Sequence, residues 1–371
     1  MSGQLAGRRI ALTLATSTGG VGAHVRALIG PLAATGAQVS VHGPAATEEL
    51  FGFRAAGGRF VAVEIATRPH PARDAWAVAR LAWLTRHSDV VHAHGLRAGS
   101  VAALAGIMRS RPTVVTVHNA LLDPPGLRRR ILALLEALVC RRADIVLGAS
   151  EDLVAGALRA GARDARMAPV AAPSLPGARR SPDEVRAELG AADRPLIVAV
   201  GRLHEQKGYD VLIQAAARWK SLEPVPLVAV AGSGPLESQL RSQIAELRAP
   251  VRLLGRRSDV ADLLQAAALV VLPSRWEARS LVAQEAMRAG RPLVTTAVGG
   301  LPHLVGGGAE LVAPGDVDAL DAAVRRLLGD PAAAEALGQG AAARAMSFPS
   351  EGDTAQQVIA VYAELLGAAQ S

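Results

Sequence analysis

The residues with the most chemistry in them lie in the stretch RWEARSLVAQEAM, where Glu277 and Glu285 stand eight positions apart across a loop-to-helix junction. Glu277 follows an apolar run that ends in Pro273-Ser274, and Glu285 falls early in a helix begun near Ser280. A carboxylate only accepts hydrogen bonds, so each can take two hydroxyls of a sugar or a ribose. The spacing therefore suggests that Glu277 orients a sugar and Glu285 holds a ribose. A helix-start acid favoured by the dipole would explain Glu277, but hardly a matching Glu285. The backbone amides between them, at Ser280 and Leu281, are free to face a ligand.

Two further segments place cations and glycines after strands. In VGRLHEQKG, Gly201 and Arg202 follow one apolar run and Lys207 opens a helix. A guanidinium fork with an ammonium five residues on suits a diphosphate. Solvated cations at a helix entrance are the plain alternative, weakened because Lys207 and Lys220 are the only lysines in a chain that otherwise uses Arg. In TGGVGAH, Gly20 stands where a strand turns into a helix, whose free amides favour phosphate. A dinucleotide reading would need Gly at Val25 and an acid ending the second strand, where VSVHGP offers only His42, so a dehydrogenase is disfavoured. Asp316-Val317-Asp318 follows Pro314-Gly315 and reads as an N-cap and a first-turn acid, so no metal is expected.

These residues need a scaffold, and the pattern supplies one. Apolar runs without polar alternation, expected as strands, cover 10–15, 38–41, 60–65, 90–92, 113–117 and 145–147, with helical periods between them. The series restarts at 196–200, 227–231, 251–254, 269–272 and 293–295. Between them, VAAPSLPGARR has no hydrophobic period, and Ser181-Pro182-Asp183-Glu184 carries a capping box. The expected architecture is α/β: a first domain over 1–180, a second over 181–345, and a last segment, 346–371, whose helix at 354–366 returns to the first domain.

The chain of 371 residues is long enough for two such cores, and half of it is hydrophobic. Its net charge of +7 suits phosphate-bearing ligands or an anionic membrane, while scarce aromatics argue against nucleic acid. Cys140 is the only cysteine, which excludes an internal disulfide and points to a reducing cytosol. RRIALTLATSTGG is too short for a leader and reads as a first buried strand. The segment 127–142 is apolar in its middle and basic at both ends. The commoner origin of such a pattern is a helix whose stripe faces the sheet; the other reading is peripheral contact with anionic lipid.

Taken in order, STGGVGAHVRALIGPLAATGAQVSV, DVVHAHG, VVTVHN, VGRLHEQKGYDVLIQA, AGSGPLESQL, VRLLGRRSDVADLL, LPSRWEARSLVAQEAMRAGRPLV and TAVGGLPHLV resemble glycosyltransferase family 4. The resemblance covers nearly the whole chain. It implies the GT-B fold, two facing Rossmann-like domains with a cleft between them, and retaining transfer of a hexosyl unit from a UDP- or GDP-linked sugar to an acceptor hydroxyl without a metal or other cofactor. It implies donor contacts at Gly20, Gly201, Arg202, Lys207, Glu277, Ser280, Leu281 and Glu285. Among these, Arg202 and Lys207 would clamp the diphosphate, and Arg202, Lys207, Glu277 and His118 would be catalytic, with His118 beside the donor sugar. His94 is an acceptor-side candidate, and the acceptor itself, lipid or small molecule, is open. A sugar-nucleotide epimerase and a non-catalytic nucleotide-sugar-binding protein are the alternatives. The chain departs from the family pattern at Ala278-Arg279, where Gly-Phe is common. Arg279 is expected to point into solvent, the alternative being that it reads an acidic group.

Overall fold

The computed structural model describes residues 3–66, 70–109, 111–121 and 126–368. It divides into two compact units: residues 1–171 with 349–371, and residues 172–348. The division falls inside the proline-bearing stretch, where no hydrophobic period can hold either core.

The first unit is built on seven parallel strands: β1 (Arg9–Leu14), β2 (Gln38–Gly43), β3 (Arg59–Ala62), β4 (Val90–His94), β5 (Thr113–Val117), β6 (Ile145–Gly148) and β7 (Ala165–Met167). Their order is β3-β2-β1-β4-β5-β6-β7. The chain thus reverses direction across the sheet at β1 and β4, whose carboxyl ends are the expected place for a ligand. Ile10, Leu12 and Leu14 of β1 face one core, while Ala11 faces another, and this double burial is why the strand shows no polar alternation. The Pro71–Leu84 and Leu96–Arg109 helices cover the Ala11 side.

The Glu351–Ala368 helix belongs to this unit and packs on the Gly20–Ala34 helix. Asp353 and Ser350 exchange hydrogen bonds at its start, the Ser350 amide donating over 2.8 Å and its hydroxyl accepting over 3.1 Å. Tyr362 on this helix is fully buried, which contributes roughly 2 to 3 kcal/mol. Nearby, Arg166 holds Glu364 in a two-point pair of 2.6 and 2.7 Å. The helix therefore closes the hydrophobic face that β1 and β2 leave open.

The second unit opens with the expected capping box: Ser181 accepts from the Glu184 amide, and Glu184 accepts from the Ser181 amide. Its parallel strands are β8 (Leu196–Val200), β9 (Leu227–Ala231), β10 (Val251–Gly255), β11 (Leu269–Leu272), β12 (Leu293–Thr296) and β13 (Glu310–Val312), in the order β10-β9-β8-β11-β12-β13. The strand expected over 60–65 is shorter, and two strands were not expected at all. These, β7 and β13, are sheet-edge strands of three residues each, too short to print a pattern.

The Leu127–Arg142 helix corrects one expectation. Val139 and Cys140 are buried, but Leu127, Ile131 and Leu134 are exposed at 75%, 45% and 71%. That stripe, at i, i+4 and i+7, does not face the sheet. No helix among the described residues is long and apolar enough to cross a membrane.

Candidate functional site

In the second unit the candidate residues gather at the carboxyl ends of β8, β11 and β12. Two main-chain contacts draw the loops so close that side chains would not fit. A Cβ on Gly208, whose φ is +64°, would lie 2.0 Å from the Pro273 carbonyl oxygen. One on Gly299, at φ +52°, would lie 2.0 Å from the Glu277 carbonyl oxygen, which accepts instead from the Gly300 amide at 2.9 Å. The Gln206 side chain donates to the Trp276 carbonyl at 2.9 Å. Arg275 then clasps the β8 loop to the β11 loop, donating to Glu205 O at 2.7 Å and to both carboxylate oxygens of Asp210 at 2.9 and 2.6 Å.

Inside this frame Lys207 and Glu277 form an ion pair, with the Lys207 ammonium on Oε1. The Ser274 hydroxyl donates to the same oxygen at 2.8 Å. Oε2 accepts from no described residue, so Glu277 keeps one oxygen for a ligand although it is only 8% exposed. Lys207 is therefore not a free clamp in this state, as its type and position alone suggested. Arg202 is exposed and makes no ion pair among the described residues. Gly201, next to it, packs against Lys207 and the Tyr209 hydroxyl.

Tyr209 was missed by the sequence reading. Its phenol is buried, without a hydrogen-bond partner, and is held well above its ordinary titration range by burial and then by Glu277. It is a neutral donor beside the ion pair. No sequence signal distinguishes it, because its burial is decided by the loops around it.

Ser280 caps the Leu281–Arg288 helix, its hydroxyl accepting from the Ala283 amide at 3.3 Å. One turn on, Glu285 is half-buried, and burial pushes its carboxyl up to about 7 against a smaller opposing pull from Arg288. Arg279 does not point into solvent. Its guanidinium lies over the Phe348 ring at 5.6 Å with Nε buried and unpartnered, and burial lowers it to about 10, with Arg344 and Arg288 acting in the same direction. The Arg279 side chain thus faces inward. Asp316 caps the Val317–Gly329 helix at 2.9 Å, and Asp318 pairs with Arg218 at 2.5 Å, so both acids have structural partners.

In the first unit His94 ends β4 and His118 follows β5. Their rings meet through His94 Nδ1 and His118 Nε2 at 3.3 Å. His24, from the first turns of the Gly20–Ala34 helix, stands edge-on to both at 5.4 and 5.5 Å. His92 lies 4.2 Å from the His94 ring, bonded to the Tyr362 hydroxyl at 2.5 Å and to the Thr116 hydroxyl at 2.7 Å. Burial, aided for His92, His94 and His118 by their histidine neighbours, holds all four far below the usual histidine range; His24 is at about 4 and His92 at about 3. They are neutral near pH 7, each able to accept or donate one hydrogen bond, and His94 Nε2 has no partner. Gly20 begins its helix without a first-turn acid; the Ser17 hydroxyl accepts from the Gly22 amide at 3.2 Å, and the other first-turn amides have no side-chain acceptor among the described residues. Two sets of candidates thus form, one in each unit.

Comparison with known proteins matches both units. The model of group 1 glycosyl transferases fits residues 181–344, and that of a glycosyl transferase 4-like domain fits residues 19–173. The D-inositol 3-phosphate glycosyltransferase of Mycolicibacterium paratuberculosis is 34% identical over 70% of this chain, and the match spans 63% of that relative, less than two thirds of its length. The alpha-D-kanosaminyltransferase of Streptomyces kanamyceticus is 31% identical over 78% of this chain and 83% of its own. Among solved structures, Anabaena Alr3699/HepE in complex with UDP shares the fold at a TM-score of 0.80 and 23% identity, covering 96% of this chain and 100% of that one.

Proposed function

Since the chain belongs to the group 1 glycosyltransferases, of family 4 type and GT-B fold, we propose that it is a metal-independent, retaining hexosyltransferase that moves sugar from a nucleotide diphosphate to an acceptor hydroxyl. The observation that carries this reading is the Lys207–Glu277 pair, in which the buried Glu277 keeps Oε2 open, with Arg202 exposed on the same loop. When donor arrives, its diphosphate competes for the Lys207 ammonium and Glu277 accepts a sugar hydroxyl. Arg202 and Lys207 then neutralise the charge that grows on the departing diphosphate, which a divalent ion could otherwise do. Ser280 and Leu281 amides and Glu285 hold the sugar and ribose. The UDP bound by Alr3699/HepE supports a UDP-linked donor.

Retention fits a front-face path in which the leaving phosphate oxygen takes the acceptor proton, so no carboxylate need become covalently attached. His94 and His118, neutral at pH 7, suit hydroxyl recognition on the acceptor side and at the sugar, respectively. The relatives' names describe group transfer, which favours this reading over epimerisation. We infer further that the Leu127–Arg142 helix brings the enzyme to an anionic lipid surface.

The test couples diphosphate release to NMR of the product. Activity surviving EDTA, an anomeric configuration kept from donor to product, and a loss of about 10²- to 10³-fold in kcat for Lys207→Ala are expected, as for removal of one charge-stabilising donor. Near-normal turnover in Lys207→Ala would sink the charge role, and an inverted anomer the front-face path.

A further inference from the structure

A cavity of about 420 Å³ in the first unit belongs to none of the residues above. It lies on the sheet face that carries Ser40 and His42 of β2, and its mouth is formed by the strand starts at Arg9 and Arg59 with Trp83 and Arg86 from the end of the Pro71–Leu84 helix and beyond. The volume falls within the range of small-molecule sites. A six-residue strand separates this mouth by ~16 Å from the carboxyl ends where Gly20 and His94 sit.

Ser40 and His42 hydrogen-bond each other, and Arg86 donates to the Trp83 carbonyl at 2.9 Å and lies over its ring at 4.3 Å, but one ring nitrogen and two arginines of the lining are unspent. His42 is 2% exposed and its Nδ1 has no partner. Ser40 Oγ lies 3.3 Å from the Ile10 carbonyl oxygen and 3.0 Å from His42 Nε2, so Nδ1 is the ring nitrogen left to hydrogen-bond a ligand hydroxyl. Burial, then Arg59 and Arg80, keep this ring neutral. At the mouth, the Arg9 and Arg59 guanidiniums make no hydrogen bond or ion pair among the described residues, and no carboxylate is among the lining residues. The nearby Asp89 is turned to Arg8 and to the Arg9 amide. The contrast is a cavity of about 720 Å³ at the starts of β8, β11 and β12. There Arg186, Arg194 and Arg291 are each bonded to backbone carbonyls, so its cations are already spent on structure.

We propose that the first cavity is a second ligand site, for a phosphorylated sugar or polyol. Arg9 and Arg59 take the phosphate, a ring hydroxyl hydrogen-bonds to His42 Nδ1, and the apolar sugar face lies against the part of the exposed Trp83 ring that Arg86 does not cover. Arg59 is in register with Ser40, and His42 is two residues further along the same face, about 7 Å on, which is the reach of a hexose ring. Because the mouth opens at the strand starts, the ligand does not compete with the donor at the strand ends.

Calorimetry with glucose 6-phosphate, inorganic phosphate and glucose tests this on the wild type and on an Arg9→Ala/Arg59→Ala double variant, whose substitutions are at exposed positions. Glucose 6-phosphate should bind the wild type at least tenfold more tightly than either phosphate or glucose. The double variant should lose at least tenfold, the size expected for charge-assisted bonds, while binding UDP as before. Equal binding of phosphate and glucose 6-phosphate, wild-type affinity in the double variant, or no binding at all each overturn the site. Failure of UDP to bind the wild type bears instead on the transferase reading.

Discussion

At Glu285, burial rather than a partner sets the chemistry. Its carboxyl is lifted from an ordinary carboxylate value to about 7, so the folded state holds the proton more tightly than the unfolded chain. Stability is therefore full below about pH 4.5 and falls as pH rises towards 7. One pKa unit corresponds to about 1.4 kcal/mol, and the residual hydration of a half-buried group trims the total to roughly 1 to 2 kcal/mol. Glu285→Gln should thus match the wild type in thermal midpoint near pH 4 and exceed it at pH 8, while binding UDP more weakly because an acceptor for the ribose is lost. A midpoint difference that does not change with pH would refute the burial argument, and unaltered UDP affinity the ribose role. Glu277, Lys207 and Glu285 stood out by type and spacing in an Arg-rich chain, and the fold brings the first two into one ion pair. The inward course of Arg279 was not legible, because Phe348 is distant in sequence. Tyr209 and the histidine cluster were hidden for the same reason: Tyr362 meets His92 only after the chain has returned.

Among the elements, what could be read was what a local pattern writes. Strands buried on both faces, the Ser181 capping box and the Asp316 cap are each local, and all are present. The clasp of Arg275 on Asp210 and the close approaches at Gly208 and Gly299 are contacts between loops, and only the assembled sheet brings them together. The Leu127–Arg142 helix failed for a subtler reason: an apolar stripe states that something covers it, not what. Exposed Leu127, Ile131 and Leu134, with exposed arginines near both ends, suit anionic lipid, where each basic residue contributes about 1 kcal/mol. In sedimentation, the protein should partition onto phosphatidylglycerol vesicles and not onto phosphatidylcholine, and Ile131→Glu/Leu134→Glu should release it. Both positions are exposed, so the fold should survive. Equal partition onto both vesicles, or retention of the double variant, would remove the lipid role.

Across the whole molecule the titratable groups are divided unevenly between the units. His24, His42, His92 and the pair His94 and His118 all lie in the first unit and are all depressed below the ordinary histidine value by burial. The second unit has only His204, which is exposed, and His303. A depressed histidine leaves the unfolded chain with more bound protons between about pH 4 and 6.5, so folding stability is complete above 6.5 and is lost as pH falls through that window. Each such histidine contributes a slope of up to about 1.4 kcal/mol per pH unit, and several together rival the 5 to 15 kcal/mol that holds a typical domain. The rise of Glu285 has the opposite sign and acts on the second unit, which it stabilises as pH falls. The second unit's ion-paired Glu188 and Asp259, held low chiefly by hydrogen bonds from Arg257, give way only below the usual carboxylate range. Near pH 5 the histidines win, and the first unit should open first. Hydrogen exchange followed by mass spectrometry, corrected for intrinsic rates, should show peptides from residues 3–121 losing protection between pH 6.5 and 5 while those from 196–312 keep it. Simultaneous loss in both, or earlier loss in the second, would mean that the buried imidazoles are not what limits this protein in acid.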